Sequence, residues 1–111
     1  MDVIDHVAIT VKDIPTSIQW YTELFDCRVE WKDETWALLA FANCKLALVT
    51  PNEHPPHFAV LRQDLSPFGS PKKHRDGTAS VYQRDMDNNY IEFLHRPELD
   101  DRSEEDATKG Q

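Results

Sequence analysis

The chain has 111 residues, 40% of them hydrophobic, with a formal charge of −8. That length suits one domain, or two very small units sharing a core. The acidic balance argues against a nucleic-acid partner, and no apolar run reaches the roughly 18 residues of a membrane helix. The start, Met1-Asp2-Val3, lacks a basic segment and an apolar core, so export is not expected. Cys27 and Cys44 lack metal-type spacing and read as reduced thiols of a cytoplasmic protein.

Residues Ile4 to Val11 read as a strand. Its Val7, Ile9 and Val11 make one face, suited to being covered by a helix; His6, Ala8 and Thr10 make the other. A lone histidine on such a face is as a rule a packed core residue. Asp13 then caps a helix with Pro15 in its first turn, where the missing N–H costs little. Ile14, Ile18, Tyr21 and Phe25 form one apolar stripe over about three turns. Trp20 lies off its centre.

After Phe25 the pattern returns to period two. Arg28 to Lys32, Trp36 to Ala42 and Lys45 to Thr50 read as strands, with turns at 33–35 and 43–45. Three prolines between Pro51 and Pro56 predict a stiff, extended link. His57 to Arg62 is the next strand and echoes the first, with a histidine at its start. Pro67, Gly69 and Pro71 forbid a long helix between Asp64 and Asp76, so a loop with at most one short turn is expected. Thr78 to Arg84 and Tyr90 to Arg96 are the last strands. Asp85 to Asn89 is the hairpin turn between them, with Asn88 able to take left-handed backbone. Glu92 is anomalous, a carboxylate between Ile91 and Phe93. Taken alone it reads as a solvated face. The acidic stretch 98–111 has Leu99 as its one large apolar residue and is expected to be disordered.

The order is one βαβββ unit (about 3–50), a Pro-rich link (51–56) and a reduced second unit (57–97). With "IDHVAITVKDIPTSIQWYTELF", "PHFAV" and "DMDNNYIEF" in sequence, the chain resembles the vicinal oxygen chelate superfamily. That group includes glyoxalase I, extradiol dioxygenases, fosfomycin-resistance transferases and bleomycin-resistance proteins. The resemblance implies an α+β fold of paired βαβββ units forming a cup-shaped sheet, here with most of the second helix missing. It also implies a metal held by His6, His57 and Glu92. Two neutral imidazoles and a carboxylate suit Fe(II) or Mn(II), with Zn(II) or Ni(II) as alternatives.

Where glyoxalase I has a fourth ligand, a glutamate, this chain has Ala47, so the glyoxalase I mechanism is not expected. A dioxygenase-like or related metal enzyme is one reading. Another is a metal-free small-molecule binder, as in bleomycin-resistance proteins, with Trp31, Trp36, Tyr82 and Phe68 as aromatic walls. A third is an interaction domain acting through its acidic tail. Candidate catalytic groups are His74, Tyr82 and Tyr90. Lys72, Lys73, His74 and Arg75 either meet an anionic substrate or are solvated loop charges. A homodimer is expected, the stiff link favouring exchange of units between chains.

Overall fold

The computed structural model describes residues 1–97. The expectations for the acidic segment 98–111, disorder and partner contact, lie outside the described residues. Eight strands form one sheet: β1 (Ile4–Thr10), β2 (Arg28–Lys32), β3 (Trp36–Ala40), β4 (Lys45–Val49), β5 (His57–Leu61), β6 (Lys72–Lys73), β7 (Ala79–Arg84) and β8 (Tyr90–His95). Their order across the sheet is β2-β3-β4-β1-β5-β8-β7-β6. Each unit places its first strand at the middle of the sheet, parallel to its own last strand. The units meet where β1 and β5 run antiparallel.

This pairing joins the two units within a single chain, so exchange between chains is not needed to complete the sheet. The Pro-rich link does not hold them apart. The Glu53 amide donates to the Thr50 carbonyl, so the chain turns at Pro51, ahead of Pro55 and Pro56.

The one helix, α1 (Ile14–Leu24), starts where Asp13 accepts a hydrogen bond from the Thr16 amide at 3.0 Å. This satisfies one of the amides a helix start leaves unpaired. Its Ile14 is buried with Ala37, Leu39 and Leu48, and Ile9, Val11, Ile18 and Tyr21 pack around them. Val7 departs from expectation: it is 42% exposed. It faces Phe58 across the junction of the units, beside the unit that has no helix of its own.

A 3₁₀ turn at Ser66–Phe68 stands in the place of a second helix. Leu65 is buried, and the Phe68 ring stacks on Phe93, centroids 4.0 Å apart and planes 7° apart. The Arg62 guanidinium lies 5.7 and 5.8 Å from these two ring centroids. Gly69, at φ 139°, lets the loop lie close to the sheet; a Cβ there would stand 3.2 Å from the Val81 side chain. Phe68 therefore covers the outer face and is no wall of the cup. The expected loop also contains a strand: β6 pairs with β7, so the second unit keeps all four strands.

The loop's packing gives a direct test. Phe68→Ala should cost about 1–3 kcal/mol of stability in a denaturant titration, from lost burial and stacking. An unchanged midpoint would mean that the loop does not cover the sheet.

Candidate metal centre

His6, Ala59 and Glu92 occupy one rung across three adjacent strands: His6 pairs with Ala59, and Ala59 with Glu92. Strands lie about 4.8 Å apart, so the two outer backbones are separated by roughly 10 Å. Ala59 between them is fully buried and has only a methyl group. The imidazole and the carboxylate can therefore lean together above it. His57 lies two residues before Ala59 on β5, facing the same way. Ala8 and Ala47 line the adjoining floor with Val49 and Leu38.

The three side chains converge. His6 Nε2 and His57 Nε2 each lie 3.1 Å from the same oxygen, Glu92 Oε1. One ligating atom from each residue falls within 4.8 Å of the other two. All three residues are buried, at 7%, 8% and 4% exposure.

The second nitrogen of each ring decides what the first can do. His57 Nδ1 is 2.7 Å from the Pro55 carbonyl oxygen, which only accepts, so Nδ1 carries the proton. His6 Nδ1 is 2.7 Å from Asp5 Oδ2. Asp5 is itself held by Arg96, whose Nε and Nη2 donate at 2.8 and 2.7 Å. That carboxylate is ionised and also only accepts; the imidazole and guanidinium beside it outweigh burial and hold its pKa well below the usual range. When neutral, both imidazoles thus turn bare Nε2 lone pairs toward a carboxylate oxygen. With both rings neutral, three electron-rich atoms would face one another; a proton on one Nε2, as the His57–Glu92 hydrogen bond requires, or a cation relieves this. Oriented histidines with their other nitrogen bonded outward are the usual support of metal ligands.

Charge follows the same logic. Burial alone would raise the Glu92 pKa, but hydrogen bonds with His57, His6 and His74 hold it far below the ordinary carboxylate value. Burial would lower that of His6; its bonds to Asp5 and Glu92 raise it instead. Burial, then the charge of Glu92, pushes the Tyr82 phenol up, so it stays a donor. Its hydroxyl lies 3.3 Å from His57 Nε2.

The trio opens into a cavity of about 340 Å³, at the small end of the range for ligand pockets. One wall is apolar, with Trp36, Ala47, Val49 and Leu94; Trp31 packs near Trp36, ring centroids 5.7 Å apart. The other carries His54, His74 and Tyr82. His74 Nε2 is 2.6 Å from Ser80 Oγ and 3.5 Å from Glu92 Oε2. The His54 ring stacks on Tyr82 at 5.5 Å. Of the three catalytic candidates, His74 and Tyr82 stand in this cavity. Tyr90 does not line it; the Arg84 guanidinium lies over its ring, 4.8 Å from the centroid.

Sequence reasoning missed Asp5, Arg96 and His54. Strict alternation sends Asp5 to the face opposite His6. The β1–β5 register, however, shifts between Ile4 and His6, a bulge that turns both residues inward. His54 sits in the link, where no strand periodicity points to a face.

The fold and this site define a glyoxalase-like protein of the cup-shaped class. The chain belongs to the Glyoxalase/Bleomycin resistance protein/Dioxygenase superfamily, whose family model matches residues 3–102. Among solved structures it is similar to methylmalonyl-CoA epimerase from Mycobacterium tuberculosis, with a TM-score of 0.72 and 18% identity over 87% of this chain and 90% of that one. A hypothetical protein from Bacillus halodurans gives 0.72 and 15%, over 86% and 94%. Methylmalonyl-CoA epimerase from Streptomyces coelicolor gives 0.68 and 15%, over 84% and 96%. At these identities the likeness is one of fold. A comparison with curated protein sequences gives no significant match.

Two outcomes are expected. Asp5→Asn should weaken divalent-metal binding about 10–100-fold, as loss of a ligand's support does; unchanged affinity in calorimetry would deny Asp5 that role. Metal must also displace the proton that Asp5 and Glu92 favour on His6, whose pKa lies above 6.5. Apparent affinity should therefore rise with pH through and beyond that value, and level off once His6 is neutral. Titrations spanning about pH 5.5 to 8.5 would show it; a flat profile would contradict it.

Proposed function

We propose that this chain is a divalent-metal-dependent enzyme acting on a small molecule with two neighbouring oxygens. The carrying observation is the meeting of two imidazole Nε2 atoms and one carboxylate oxygen above Ala59. His6, His57 and Glu92 would hold the ion. A site with three protein ligands leaves coordination positions for a bidentate substrate, and the ion supplies Lewis-acid stabilisation of charge on the substrate oxygens. Fe(II) or Mn(II) suits this donor set best, with Zn(II) or Ni(II) as alternatives.

The chain's own groups supply the rest. His74 faces the cavity with its Nε2 hydrogen-bonded to Ser80, and is the group for moving a proton at the substrate. Tyr82, kept protonated, donates a hydrogen bond into the same space. The apolar wall at Trp36 and Val49 takes the carbon part of the substrate and excludes water. Ala47 lies on the cavity floor and has no atom to ligate a metal. The chemistry is therefore of a three-ligand kind, dioxygenase-like or related, and not that of a glyoxalase I. The thiols of Cys27 and Cys44 are free, which fits a reducing, cytoplasmic setting.

One observation favours a second reading, a metal-free binding protein. Among the described residues no buried side-chain nitrogen or oxygen lacks a hydrogen-bond partner. A proton on one imidazole would satisfy Glu92 without an ion. A planar ligand that quenches tryptophan fluorescence equally with and without chelator would support that alternative.

Elemental analysis of protein purified without chelators separates the two. The expected result is about one divalent ion per chain, or one-to-one uptake on titration, lost in His6→Ala. Absence of saturable binding would end the enzyme reading.

A further inference from the structure

Four cationic side chains border the cavity: Lys72, Lys73, Arg75 and Arg96. Three are committed elsewhere or turned aside. Arg96 is bonded to the buried Asp5. Arg75 spans the mouth, with Nε 3.1 Å from Asp33 and Nη2 3.1 Å from Glu53. Lys73 is paired with Ala79. The neighbours of Ala79 in alternation, Thr78 and Ser80, are buried inward residues, so Ala79 and Lys73 stand on the other side of the sheet.

Lys72 is different. It is paired with Ser80, whose hydroxyl bonds His74 within the cavity. Residues directly opposite on paired strands share a face, so the Lys72 stem starts on the cavity side. No carboxylate pairs with it among the described residues. The register also fixes its distance. Ser80 lies two residues from Tyr82, and Tyr82 is paired with Glu92. From Glu92 to Lys72 is thus two strand spacings across and two residues along. A lysine side chain directed into the cavity can span most of that separation, bringing its ammonium to roughly 6–8 Å from the Glu92 carboxylate.

The acidic groups near the mouth are each engaged by partners other than Lys72. Asp33 and Glu53 are bound to Arg75, and Asp5 to Arg96. Asp76 caps its own turn, accepting from the Thr78 amide and hydroxyl. Among the described residues, Lys72 is thus the cavity-side cation that no carboxylate holds, while Arg75 and Arg96 are tied to Asp33, Glu53 and Asp5.

We infer that the substrate of this centre carries, besides its two metal-binding oxygens, a separate anionic group that is read by Lys72, with a spacer that crosses the Tyr82 and Ser80 side of the cavity between them. The class is a small molecule with a chelating end and a carboxylate or phosphate end. Lys72 is then a specificity determinant and takes no part in holding the ion. This rests on the metal-centre reading, and the test separates the two.

The probes are benzohydroxamate, which binds divalent metals through two neighbouring oxygens, and its 4-carboxy derivative, which adds an anion across the ring. Zn(II)-loaded full-length chain is titrated with each by calorimetry, after elemental analysis of every sample. In the wild type the carboxylate probe should bind tighter. Lys72→Gln should weaken it at least about tenfold while leaving benzohydroxamate within about twofold. Zinc content should be unchanged, Lys72→Arg should recover part of the loss, and added salt should shrink the difference. If zinc binds but the carboxylate probe is held equally by wild type and Lys72→Gln, or neither probe binds, this inference falls and the metal centre stands. If no zinc binds to the wild type, both fall.

Discussion

Everything at this site follows from one electrostatic conflict: three electron-rich side-chain atoms are aimed at a common point, and a proton or a cation must sit among them. The conflict is built from outside the trio. The Pro55 carbonyl and the Asp5 carboxylate claim the Nδ1 protons of His57 and His6, and Arg96 keeps Asp5 ionised. Burial then makes any relief other than a cation costly. A proton on an imidazole relieves it partly, which is why Asp5 and Glu92 raise the His6 pKa. A divalent ion would relieve it more completely, because one charge would touch all three donors.

The sheet makes this meeting possible by leaving things out. Ala59 leaves room between His6 and Glu92, and Ala8 and Ala47 keep the floor low. A bulge at Asp5 lets two successive residues point inward. The second unit omits its helix and uses Phe68, stacked on Phe93, as a much smaller cover. The saving falls on the outer face, away from the cavity. Four strands per unit are retained, so the cup survives the loss.

Much of this was legible in the chain before any fold was drawn, where local rules and tertiary context agree. Asp13 caps its helix as read. Asn88 takes positive φ, at 68°, in the hairpin, with Asp85 accepting from the Asp87 and Asn89 amides. The convergence of His6, His57 and Glu92 was implied by the family resemblance; alternation alone put His6 in a packed core and Glu92 on a solvated face. The rest was hidden where alternation or face assignment breaks. Asp5 lies at a bulge that no local pattern announces. His54 reaches the cavity from the link, and β6 is two residues long, too short for a pattern. Phe68 looked like a cavity wall because composition says nothing of which side of a sheet a loop covers. Val7 was expected under α1, but the helix ends its cover at Ile9 and Val11.

The most direct measurement is the protonation of the two rings, read by proton–nitrogen NMR on the full-length chain before and after Zn(II). The account predicts His6 as an imidazolium in the metal-free site at a pH a little below 6.5. One equivalent of Zn(II) should convert both His6 and His57 to neutral rings, protonated at Nδ1 and ligated at Nε2. Two rings already neutral without zinc, or Nε2 signals that zinc leaves in place, would contradict it.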